Sequence, residues 1–113
     1  MKEVFNDRIE WRNNNGWLHR LDEPAIEYFD GRREWWFDGQ RHRVDGPAVE
    51  AADGTKYWFV NGILHRLDGP AIEFDGGDKK WLINGVYYES EEEWFNKLNL
   101  EHQISFLFKL GKI

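Results

Sequence analysis

With 113 residues, 41% of them hydrophobic and 17% aromatic, the chain has the length and apolar surface for one ordered domain spanning residues 1–113, not a disordered tail. The absence of cysteine removes disulfide staples, thiolate zinc sites and cysteine nucleophiles, and makes a reducing compartment the simpler expectation. A net charge of −6 argues against a generic phosphate-backbone binder, and no run of about 18 apolar residues or apolar leader occurs, so a soluble cytoplasmic protein without direct nucleic-acid or membrane contact is expected.

In chain order, Asn15-Gly16, Asp38-Gly39, Asn61-Gly62 and Asn84-Gly85 recur every 23 residues. Three residues past each of the first three glycines stand His19-Arg20, His42-Arg43 and His65-Arg66, and Asp22, Asp45 and Asp68 then lead into Glu-Pro-Ala or Gly-Pro-Ala. Ile26-Glu27, Val49-Glu50 and Ile72-Glu73 follow, each ahead of a second turn signal at Asp30-Gly31, Asp53-Gly54 or Asp75-Gly76. The last of these comes one residue early, and the added Gly77 restores the period. The first unit begins near Asp7, where Arg8 replaces the glycine, and the fourth stops after Tyr88. Self-similarity this dense identifies a repeat architecture.

Residues 56–60 are aromatic and β-branched and run into Asn61-Gly62, the dipeptide suited to the two positive φ angles of a type I′ turn. The return strand, residues 63–74, is interrupted at Gly69-Pro70, so a bulge or kink is expected there in each unit. Two strands per unit give a mainly β fold: an elongated antiparallel meander of about eight strands over residues 7–89. Trp35-Trp36, Trp58-Phe59 and Trp81-Leu82 place bulky side chains on both faces of this sheet.

Ser90 followed by Glu91, Glu92 and Glu93 is a capping box that starts a helix near residue 91, with Trp94, Phe95 and Leu98 at helical spacing. Ile104, Leu107, Phe108 and Leu110 predict a second short helix after Asn99, so residues 90–113 form a C-terminal helical cap over the last repeat.

The unit resembles the MORN repeat, which also has an Asn-Gly turn, a following histidine and an Asp-Gly turn and builds extended β-hairpin arrays. Arg20, Arg43 and Arg66 stand where that family usually has glycine, and the Gly-Pro-Ala segment is particular to this variant. The His-Arg-x-Asp-Gly-Pro-Ala pattern is similar to repeats of small phage and bacterial proteins, including MORN-variant antitoxin-like proteins. The resemblance implies a protein-binding platform without catalytic activity. Its expected partner is a larger bacterial complex, which it would inhibit as an anti-CRISPR-like phage or mobile-element protein in the host cytoplasm. An antitoxin-like partner role and a hydrolase or nuclease using the His, Arg and Asp groups stand as alternatives.

Three His-Arg-x-Asp copies lie two strands apart, roughly 10 Å from unit to unit, too far for one catalytic or zinc centre. No catalytic, metal or cofactor residue is therefore assigned. Arg20-Asp22, Arg43-Asp45 and Arg66-Asp68 are expected to pair within each unit and orient the turn before Gly-Pro. Alternatively, His19, Arg20, His42, Arg43, His65 and Arg66 form a basic ladder facing a partner, with Tyr87 and Tyr88 replacing it in the fourth unit. Trp17, at a turn, and Trp36, beside another tryptophan, are the aromatic interface candidates, for a partner or a homodimer. Glu91 and Glu92 belong to an acidic run that suits a helix start or mimics nucleic-acid charge.

Overall fold

Each repeat turns on one tryptophan whose two backbone groups face different strands. Trp35 donates its N–H to Ala48 and accepts from His42 at its carbonyl; Trp58 does the same with Ala71 and His65, and Trp11 with Ala25 and His19. The strand therefore changes partner at this residue, and the segment between histidine and alanine leaves the ladder as a loop. This is the interruption that glycine and proline predict. A computed structural model describes residues 1–113.

Because the long strands break there, thirteen short ones form instead of eight. They are β1 (Lys2–Val4), β2 (Arg8–Trp11), β3 (Ile26–Tyr28), β4 (Arg33–Glu34), β5 (Trp36–Phe37), β6 (Gln40–Arg41) and β7 (Val49–Glu50). The series continues with β8 (Lys56–Tyr57), β9 (Phe59–Val60), β10 (Ile63–Leu64), β11 (Ile72–Glu73), β12 (Lys79–Ile83) and β13 (Val86–Tyr88), then α1 (Glu91–Lys97) and α2 (Leu100–Lys109). Nine strands make one antiparallel sheet in the order β1-β2-β3-β4-β7-β8-β11-β12-β13, while β5-β6 and β9-β10 are hairpin tips that project from it. The result is an elongated body of 46 × 30 × 24 Å. The sheet starts ahead of the repeat region, since β1 pairs with β2 through Glu3 and Glu10.

The turns follow their chemistry. Asp38-Gly39, Asn61-Gly62 and Asn84-Gly85 have positive φ at both positions, as type I′ turns require. The first hairpin differs: Asn13 and Trp17 close a loop in which Gly16, but not Asn15, has positive φ. That loop holds one extra residue, so the buried Glu10 and the partly buried Trp11 correspond to Glu34 and Trp35 at a spacing of 24, although the turn glycines keep 23. At the other end of the units Gly31, Gly54 and Gly77 occupy equivalent positive-φ positions, and Gly77 does for the third unit what Asp75-Gly76 alone could not.

Cross-strand register sorts the side chains into two rows. On one face Glu27, Arg33, Glu50, Lys56, Glu73 and Lys79 alternate in charge across neighbouring strands. On the other, Glu10, Ile26, Glu34, Val49, Tyr57, Ile72 and Lys80 are neighbours in turn. This second face changes character along the array. In the first half it holds buried carboxylates: Glu10 accepts from Arg8 (2.7 Å) and Arg12 (2.8 Å). Glu34 accepts from Arg32 (2.7 Å), the Trp36 indole (3.0 Å) and Arg41 (3.2 Å). In the second half the corresponding positions are Tyr57, Phe59 and Leu64, and an apolar cluster of Ala71, Ile72 and Leu82 forms with Tyr57, Leu64 and Phe74 against it.

Both predicted helices are present. Ser90 accepts from the Glu93 N–H and Glu93 reaches back to the Glu89 N–H, while Asn99 caps α2 through the His102 N–H. Their buried face corrects one expectation: Phe106, with Trp94 and Leu98, enters the second core, whereas Ile104, Phe108 and Leu110 are exposed. No helix is long and apolar enough to cross a membrane.

The change of chemistry between repeats is testable by transplantation. Glu34→Tyr alone removes the shared carboxylate of Arg32, Arg41 and the Trp36 indole and should cost about 1 to 3 kcal/mol, since both arginines stay partly solvated. Adding Arg32→Thr, Trp36→Phe and Arg41→Leu, which copies the third unit, should recover most of that loss in urea unfolding.

Candidate functional site

The His-Arg-x-Asp loops line the face that carries the alternating charges. Arg43 and Arg66 pair with the predicted aspartates, Arg20 does not, and all three arginines have further partners. Arg66 lies 3.8 Å from the Trp58 ring centroid, donates to the Pro70 carbonyl (3.0 Å) and Glu73 (3.0 Å), and also meets Asp68 (2.8 Å). Arg43 repeats this over Trp35 (3.8 Å), with Pro47 at 3.1 Å, Glu50 at 3.3 Å and Asp45 at 3.4 Å. Arg20 stacks on Trp11 at 3.8 Å and donates to Pro24 at 3.3 Å, but pairs with Glu23 (3.1 Å) and not with Asp22. The shared carboxylate partner is therefore Glu27, Glu50 or Glu73, seven residues on, which the loop folds back to meet.

The loop glycine has a stated reason. A Cβ on Gly69 would lie 2.6 Å from the Arg66 guanidinium carbon, and one on Gly46 would lie 2.9 Å from that of Arg43. In the first unit Glu23 occupies this place, the preceding Asp22 takes φ +59°, and the Arg20 contacts lengthen.

The histidines join units. His19, His42 and His65 accept at Nδ1 from the backbone N–H of Asp38 (3.0 Å), Asn61 (3.0 Å) and Asn84 (2.8 Å), each in the tight turn of the next hairpin. Acceptance at Nδ1 requires the proton, when neutral, to sit on Nε2. Burial, followed by the charge of His102, pushes the His65 imidazole below its ordinary value of 6.5. Glu10 shows the opposite balance: burial raises it, but the hydrogen bonds from Arg8 and Arg12 outweigh this and hold it below the usual carboxylate range.

Between successive loops the surface opens into two clefts of about 480 and 460 Å³. The first lies between the 20–22 and 43–45 loops, with Trp35, Phe37 and His42 behind it. The second lies between the 43–47 and 66–68 loops, with Trp58, Val60 and His65. Leu21 and Val44, at the loop tips, are 68% and 90% exposed. These apolar tips were missed as candidates, although the third residue of His-Arg-x-Asp is Leu, Val and Leu in an otherwise polar motif.

The remaining candidates separate. Trp17 is half-exposed against the Gly39 turn, outside both clefts. Trp36 donates to Glu34 beneath Arg41, on the opposite face, and Tyr87 is exposed near Lys80. Tyr88 packs against the helical core, and Glu91 and Glu92 are exposed in the first turn of α1. No three His, Cys, Asp or Glu side chains come together in a metal-holding group. Compared with known proteins, the chain matches no family model, no curated protein and no solved structure.

The histidine link carries a pH dependence. Because the folded pKa of His65 is lowered, the unfolded chain binds more protons, so stability is intact above about pH 6.5 and declines as pH falls from there through the folded value. Carboxylates such as Glu10 and Asp68, also lowered, add their loss below about 4.5. His65→Asn keeps a side-chain oxygen near the Nδ1 position and should flatten the decline of the melting temperature that begins below about pH 6.5. His65→Ala should instead lose about 0.5 to 1.5 kcal/mol at neutral pH, because the hydrogen bond from the exposed Asn84 N–H is exchanged for one to water.

Proposed function

We propose that this chain is a non-catalytic protein-binding module whose working surface is the face bearing the two clefts. The observation that carries this is the exposure of Leu21 and Val44 beside open clefts lined by both apolar and charged side chains, while the equivalent Leu67 is packed against the chain's own helices. Exposed apolar side chains clustered within a polar rim are the anatomy of a docking surface. A non-catalytic role is supported by the equivalence of the three histidines, each engaged at Nδ1 by a backbone N–H rather than converging with the others.

The resemblance to MORN-type repeats of phage and bacterial proteins extends this reading to an inhibitor that occludes a bacterial defence or host complex in the cytoplasm. Co-purification from bacterial lysate tests it. The wild-type chain should retain a stoichiometric protein, and Leu21→Asp/Val44→Asp should lose it without change in melting temperature. A partner retained equally by both chains places the working surface elsewhere. A triple His19→Asn, His42→Asn, His65→Asn chain should bind as the wild type does, because its loops keep their acceptors.

A further inference from the structure

Shifting the lining of the first cleft by 23 residues gives that of the second apart from Gly46, Pro47 and Lys109 of α2 at its edge, and shifting again gives a third that includes Arg66, Leu67, Asp68, Trp81, Ile83 and Tyr88. The third is occupied by α1 and α2. Trp94, Leu98 and Phe106 pack on Leu67, Trp81, Ile83 and Tyr88. The Trp94 indole donates to the Arg66 carbonyl (3.2 Å), and Lys109 donates to the Asp68 carbonyl (3.1 Å) and pairs with its carboxylate (3.5 Å). The chain thus contains its own example of what this cleft accepts.

The open copies retain most of the features that hold the helices. Leu21 with Phe37, and Val44 with Val60, correspond to Leu67 with Ile83. The Asp45 side chain is 87% exposed, and the carbonyls of Arg20 and Arg43 accept no hydrogen bond. One feature differs. Arg43 covers Trp35 and Arg66 covers Trp58 where Trp94 covers Trp81, so the tryptophan position is already filled and the Leu98 and Phe106 positions are vacant.

Resting on the binding reading above, we infer that the two open clefts together hold one basic amphipathic helix of a partner protein, with apolar side chains between the loop tips and lysines against Asp22 and Asp45. The clefts repeat about every 10 Å, two strand spacings, and a helix advances about 10.5 Å in seven residues. A helix lying along the array therefore seats apolar residues at positions i and i+7, one per cleft. Its lysines complement a chain of net charge −6, as Lys109 complements Asp68.

Fluorescence anisotropy on the full chain tests this with two lysine-flanked helical peptides of the same composition, one with phenylalanines at i and i+7 and one at i and i+9. The seven-residue spacing should bind saturably and the other roughly tenfold more weakly; Val44→Asp and Asp45→Lys should each weaken it roughly tenfold, the scale of a lost hot spot. No binding, equal binding of both peptides, or binding indifferent to Val44→Asp overturns the inference. So does concentration-dependent self-association abolished by Val44→Asp, which makes a second copy the occupant. If co-purification succeeds and the peptides fail, the binding module stands and its partner is not a helix of this kind.

Discussion

The interaction on which the array depends is an arginine laid flat on a tryptophan and held at its edges by a proline carbonyl and a glutamate. A guanidinium suits this because it is planar, always charged and presents its donors in the plane, leaving the face free to stack. The stack and the hydrogen bonds act together: the carboxylate and carbonyl satisfy the cation that the ring partly desolvates. Arg43 and Arg66 thereby close their loops onto the sheet, and the loops so closed are the walls of the clefts. The row of charges beneath them is organised by the same residues, because each glutamate that receives a loop arginine also faces a basic residue on a neighbouring strand.

The ends of the array show what happens when the arrangement changes. In the first unit glutamate replaces the loop glycine, and Arg20 keeps its ring while loosening its other contacts. After the third unit no arginine follows, and Trp94 supplies the cover for Trp81 at 4.6 Å between ring centroids. A helix side chain has taken over the work of a repeat side chain. The capped end gathers Trp81, Trp94, Leu98 and Phe106 into an apolar cluster, while the first two units bury the carboxylates of Glu10 and Glu34 between arginines beside Ile26, Trp35 and Val49.

Much of this could be read from the chain because it is encoded locally. The turn dipeptides fix φ, the capping residues fix helix starts, and the glycine period fixes the repeat. What could not be read depends on distant contacts. Pairing Arg43 with Asp45 follows from strand alternation, but the loop is not a strand, and only its fold-back brings Glu50 within reach. The extra residue in the first hairpin is invisible to a glycine count, because the turn absorbs it and passes the shift to Glu10 and Trp11. Helical spacing alone favours Phe108, whereas it is Phe106 that meets Trp81, Trp94 and Phe95 and is buried. The candidate site divided in the same way: the histidines and arginines were visible as a pattern, and the apolar tips between them gained meaning only from the covered Leu67.

The stacked arginine is structural, unlike an exposed ion pair, and unfolding of Arg43→Lys in urea measures this directly. Lysine keeps the charge and loses the planar fork, so the account predicts a loss of about 2 to 3 kcal/mol at neutral pH, the scale of charge-assisted hydrogen bonds with a partly desolvated stack. A variant within about 0.5 kcal/mol of the wild type, as expected of a surface salt bridge, would contradict it.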